Sequence, residues 1–156
     1  MLYATTRFDF TDHWPTFQYL PWTVPLSSLN HIAHISIVAH GVPLPSTPPT
    51  ADFVAWIKLW GTLSLCKSLR CLDVELVPLH RSSRNRVGKT PTRDELRGAA
   101  GELLFPMQQM RGLLVGGREG MGRRRWVLKV PFEVYAGAGV VVDELESLGW
   151  RVEGVS

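Results

Sequence analysis

IAHISI (residues 32–37), LRCLDV (69–74) and MRGLLV (110–115) carry apolar residues at their first, fourth and sixth positions, and this shared template decides how the chain is read. Side chains alternate along an extended chain, so the fourth and sixth positions of each copy share one side. Each copy therefore reads as a strand with a single buried face. The starts lie 37 and 41 residues apart, long enough for a strand, a loop and a helix in every unit.

Helical patterns fill the gaps. ADFVAWIKLWGTLSL (51–65) precedes the second copy and sets Phe53, Trp56, Ile57, Trp60 and Leu63 at steps of three and four, the spacing of one helical face. Thr50 or Asp52 can cap its first turn by accepting a free amide. Before the third copy comes TRDELRGAAGELLF (92–105), where Thr92-x-x-Glu95 is a capping-box pattern. Leu96, Ala99, Ala100, Leu103, Leu104 and Met107 follow at helical spacing, and Pro106 should end or kink the helix. Strand and helix in alternation predict parallel strands joined by right-handed crossovers. The expected fold is α/β: a short leucine-rich-repeat-like stack of strand-helix units, with a mainly parallel sheet and the helices on one face. Phe53, Trp56, Ile57, Trp60, Leu96, Ala100, Leu103 and Leu104 should be buried against Ile35, Leu72 and Leu113.

Outside the repeat, RFDF (7–10) alternates through Phe8 and Phe10 like a strand. Pro15, Pro21 and Pro25 favour an irregular connection after it, and PLPSTPPT (43–50) is a proline-rich loop. WVLKVPF (126–132) alternates like a strand, with Pro131 arguing for a sheet edge. VVVDELESLGWRV (140–152) reads as a short helix stopped by Gly149, with Asp143 near the helix start, and then a final strand.

The chain has 156 residues, 45% of them apolar and 20% charged, with six Trp and six Phe. That suits a single domain, residues 1–156, able to bury one core. Net charge is only +3, and the basic residues cluster in a loop at 81–92 and at Arg123, Arg124 and Arg125. Two cysteines, Cys66 and Cys71, make neither a disulfide framework nor a four-ligand zinc site. Reduced thiols, no charged and apolar leader pattern, and no long apolar run together lead us to expect an intracellular chain with no membrane span.

The sharpest motif is RSSRNRVGKT (81–90), which lies between a strand and a helix and ends in Gly-Lys-Thr. A phosphate-cradling loop needs glycines whose amides wrap the phosphate. Ser83 stands where the first glycine belongs, and Arg84, Asn85, Arg86 and Val87 fill the interior. A basic, solvated loop is the simpler reading, with a degenerate nucleotide-binding site using Lys89 and Thr90 as the alternative. His31 and His34 would point to opposite faces of a strand, and GGREGMG lacks the strand-before, helix-after context of a dinucleotide fingerprint. No nucleophile elbow is present. We expect no enzyme, no catalytic residue, no metal and no cofactor. Arg84, Arg86, Lys89, Arg123, Arg124 and Arg125 are the candidate contacts to an anion or a partner, with nucleic acid the lesser prospect.

FDF near the start, WTVPLSSLNHIAHISI, the tryptophan pair in FVAWIKLW, and LRCLDVEL together resemble a family of fungal domains of uncharacterised function. The resemblance covers about residues 3 to 116. Members of that family often open with an F-box-like Leu-Pro-x-Glu-Ile segment, followed by an α/β region similar to leucine-rich repeats. This chain starts directly at LYATTRFDF without that opening, as a truncated chain would. The resemblance carries over no catalytic residue. It implies a non-catalytic module that binds another protein.

Overall fold

The computed structural model describes residues 7–11, 14–41, 45, 48, 50–77, 92–110 and 125–155. Five strands form one sheet: β1 (Arg7–Thr11), β2 (His34–His40), β3 (Cys71–Val77), β4 (Arg125–Pro131) and β5 (Trp150–Val155). All four pairings are parallel, and the strands lie side by side in chain order. Short helices α1 (Leu20–Thr23) and α2 (Leu26–Leu29) lie between β1 and β2. Helix α3 (Ala51–Leu63) links β2 to β3, and α4 (Arg93–Leu104) lies between β3 and β4. Helices α5 (Phe132–Gly137) and α6 (Gly139–Ser147) link β4 to β5.

Register explains the apolar template. Phe8, Ile35, Leu72, Trp126 and Trp150 are successive cross-strand partners, and Phe10, Ile37, Val74, Leu128 and Val152 form the next row. These rows share one core cluster with Trp56, Leu59, Trp60 and Leu63 of α3, Leu96, Ala100, Leu103 and Leu104 of α4, Val134 of α5, and Val142 and Leu145 of α6. The helices thus cover one face of the sheet, as right-handed crossovers between strands added in one direction require.

Local signals behave as their chemistry dictates. Thr92 Oγ1 accepts from the Glu95 amide at 3.2 Å while the Thr92 amide donates to Glu95 Oε2 at 3.2 Å, closing the capping box of α4. Thr50 Oγ1 accepts from the Phe53 amide at 3.2 Å at the start of α3. After Leu104 the chain tightens into a 3-10 helix, Phe105–Met110, at Pro106. Gly149 has φ +107° just past α6, a left-handed position that glycine adopts without a Cβ penalty.

Four expectations change. Met110 ends the 3-10 helix and 111–115 lie outside the described residues, while the second edge of β3 is taken by β4 from Cys71 to Glu75. The strand beside β3 is therefore RWVLKVP rather than MRGLLV. Pro131 does not put that strand at an edge, because β4 lies between β3 and β5. Proline is tolerated there because it is the last strand residue and already the N-cap of α5. The prolines after β1 give short helical turns rather than an irregular path. Pro15 opens a 3-10 helix (Trp14–Tyr19), Pro21 sits in the first turn of α1, and Pro25 is the N-cap of α2, places where a missing amide costs nothing. Ile57 is 38% exposed. The buried stripe of α3 runs through Ala55, Trp56, Leu59, Trp60 and Leu63, and at about 100° per residue Ile57 falls beyond one margin, with Phe53 at its border.

Five tryptophans run through the core in edge-to-face contact. Ring centroids lie 5.9 Å apart for Trp14–Trp56, 5.3 Å for Trp56–Trp60, 5.9 Å for Trp60–Trp150 and 5.2 Å for Trp126–Trp150. The indole N–H of Trp56 donates to the Leu103 carbonyl at 2.7 Å, tying α3 to α4. Those of Trp60 and Trp150 meet no acceptor among the described residues. Each indole has a neighbouring ring in edge-to-face contact, a setting in which an N–H can rest on a π face. A second close approach joins α4 to α5: a Cβ built on Gly137 would lie 2.5 Å from the Arg97 carbonyl oxygen.

Truncating this core should be expensive. In urea unfolding, Trp56→Ala or Trp60→Ala should cost roughly 3–5 kcal/mol, whereas Trp22→Ala, at an 85% exposed position, should stay within about 0.5 kcal/mol. Gly137→Ala should cost about 1–3 kcal/mol, because backbone rather than a flexible side chain must give way. Cys66 is fully buried and desolvation pushes its thiol from 9.0 up to about 12, while Cys71 is half-buried on the other side of β3. Maleimide should therefore label Cys71 in the native protein and Cys66 only after unfolding. The raised value also fixes a sign: the contribution of Cys66 to stability is complete below pH 9.0 and is lost as pH rises towards 12. Native and unfolded titrations of thiol reactivity will check both outcomes.

Candidate functional site: the open face of the sheet

Parallel sheets are ordinarily covered on both faces. Here no described helix lies over the second face, and the alternate strand positions that point there are mostly charged or polar. Nearest the strand starts, Arg7, His34, Cys71 and Arg125 are successive cross-strand partners. The next row is Asp9, Ser36, Asp73, Val127 and Arg151. A third aligns Val38, Glu75, Lys129 and Glu153. Neighbours in each row are about 4.8 Å apart across the strands, so these side chains form a grid.

Four cations (Arg7, Arg125, Lys129, Arg151) and four carboxylates (Asp9, Asp73, Glu75, Glu153) occupy the face. The outer strands neutralise themselves: Arg7 bonds Asp9 at 3.1 Å and Arg151 bonds Glu153 at 2.9 Å, each two residues along one strand. The middle does not. Asp73, Glu75, Arg125 and Lys129 form no ion pair among the described residues. They surround a depression of 410 Å³ whose floor includes Ser36, Val38 and Val127. Exposed pairs give only modest stabilisation, and no described residue takes up the ion-pairing capacity of these four side chains.

Of the candidate contacts named from the sequence, Arg125 is the one among the described residues, and it is exposed on this face at the start of β4; His34 and Cys71 share its row. Arg84, Arg86, Lys89, Arg123 and Arg124 lie outside the described residues, as do most of the 81–92 loop, all but Pro45, Pro48 and Thr50 of the 43–50 loop, and GGREGMG. Asp143 sits inside α6, which begins at Gly139, and not at a helix start. His31 precedes β2 in a turn while His34 opens the strand. Among the described residues no group of three His, Cys, Asp or Glu side chains could hold a metal ion. No helix is long and apolar enough to cross a membrane among those residues.

Asp73, Glu75, Lys129, Arg151 and Glu153 escaped the sequence reading. Their signal was present: like-facing charges two residues apart, opposite the apolar marks of the same strand. Only the register turns those isolated pairs into one surface.

Comparison with curated proteins finds no match, and neither does comparison with solved structures. One family model does match, over residues 1–96, a span that takes in β1, β2, α3, β3 and the first turn of α4. With well over half of the chain matched, this protein belongs to the family described as a domain of unknown function, DUF7730.

Proposed function

We propose that this chain is a non-catalytic protein-interaction module that takes its partner on the bare face of the sheet. The observation that carries this reading is the group Asp73, Glu75, Arg125 and Lys129, which form no ion pair among the described residues, around the 410 Å³ depression on a face that no described helix covers. Arrays of strand-helix units with all helices on one side use the strand side as a binding surface. The strand order of this sheet supports a leucine-rich-repeat-like kinship of that kind. Alternating sign gives register and specificity to a protein partner rather than bulk attraction. A phosphate backbone is uniformly negative, and a face with as many carboxylates as cations offers it little net charge to neutralise. The resemblance to F-box-linked fungal domains accords with an adaptor role inside the cell.

The double variant Asp73→Lys/Lys129→Glu keeps the net charge and scrambles its pattern. Quantitative affinity capture should show the specific partner depleted by roughly tenfold or more with this variant, as for mispaired interfacial charges. Glu146→Lys, on an exposed position of α6, should leave capture unchanged. Equal recovery by the wild type and the double variant, with both folded by circular dichroism, would refute the reading.

A further inference from the structure

No described residue pairs with the outer edge of β5. β5 is the last strand of the sheet and bonds only to β4, and no other described residue donates to or accepts from its backbone. Such an edge presents a row of free amides and carbonyls that templates another strand. We infer that two copies of the chain associate there, β5 pairing antiparallel with β5 of the second copy, with Val152 opposite Val152 on the twofold axis.

The faces of the strand narrow the choice. Trp150 and Val152 point into the core, at 3% and 8% exposure, while Arg151 and Glu153 belong to the open face. A twofold axis normal to the sheet puts the helices of both copies on the same side, so inward residues must oppose inward residues. Registers that satisfy this differ by two-residue steps, since a one-residue slip exchanges the faces. One of them sets Arg151 opposite Arg151, and another sets Glu153 opposite Glu153. Directly opposed like charges are unfavourable.

The register between these two is self-complementary. It places Arg151 opposite Glu153 of the second copy and Glu153 opposite Arg151 of the second copy, once on each side of the axis. It also sets the large Trp150 ring opposite Gly154. The present Arg151–Glu153 pair has side chains 76% and 35% exposed, so exchanging it across the axis sacrifices little. Exposed apolar residues also stand on β5 and the two helices before it: Phe132 on α5, Val140 on α6 and Val155 on β5 are 51%, 75% and 47% exposed. Isologous pairing of this kind is the commonest way for a chain to self-associate. It would also join two open faces into one continuous surface.

Sedimentation velocity of the full chain at increasing concentration should show a monomer–dimer equilibrium. Arg151→Glu and Glu153→Arg, each alone, should weaken it by roughly tenfold or more, because two cross-strand pairs turn repulsive together. Mixing the two single variants should restore the dimer, since each edge then meets its complement, and Arg151→Glu/Glu153→Arg in one chain should dimerise like the wild type. Near-ultraviolet circular dichroism of the buried tryptophans confirms that the variants remain folded. A wild type that stays monomeric overturns the inference and leaves the edge to a strand from another protein. A dimer indifferent to both single reversals, or single variants that fail to pair when mixed, overturns it by placing the interface elsewhere.

Discussion

The edge-to-face series Trp14–Trp56–Trp60–Trp150–Trp126 is the contact on which the rest of the structure depends. It joins the 3-10 helix after β1, the middle of α3 and the two last strands across a single core. Each indole fills a large volume with few rotatable bonds, so the series fixes distances between elements far apart in sequence. The Trp56 hydrogen bond to the Leu103 carbonyl adds α4 to the same assembly. The described helices are anchored on this one side of the sheet, and its other face carries the charged side chains.

That asymmetry links the fold to the proposed role. A two-layer parallel sheet must solve on its outer face the solvation problem that a three-layer sheet solves with helices. The outermost strands do it with self-contained pairs, Arg7–Asp9 and Arg151–Glu153. The inner strands hold Asp73, Glu75, Arg125 and Lys129, which form no ion pair among the described residues and line the depression. Membership of the DUF7730 family covers the half of the chain that builds β1 to β3; Arg125 and Lys129, the cations of the central grid, come from beyond the matched span.

What could be read in advance followed the range of the interaction. Thr92 and Glu95 close their capping box within one turn, so four residues of sequence suffice. The apolar template located β2 and β3 because one-sided burial imposes a period of two on each strand alone. The neighbour of β3 was misread because MRGLLV carries all three apolar marks whereas the segment that pairs with β3 has Arg123 at the first of them, and only long-range packing chooses between the two. Ile57 was placed inward because helical spacing gives the phase of a buried stripe but not its width. The open face was the least legible part. Charged pairs two apart on β1, β3 and β5 look like ordinary solvated strand positions until the register sets them beside Arg125 and Lys129 of β4, whereas the conspicuous basic segments drew attention to other residues.

Strand order that follows chain order has a consequence for biosynthesis. On the ribosome, each strand emerges when the neighbour it must join has already been made, so the sheet can grow by accretion without waiting for distant sequence. The tryptophans impose a different schedule. Trp56 and Trp60 emerge with α3 but their series is closed only when Trp150 arrives with β5. Nascent chains halted between these two points would hold a sheet in the making with an indole exposed where a ring should be, a state for a chaperone to shield. Strand β5 therefore acts as a latch for the described core, and it follows the other described strands in the chain.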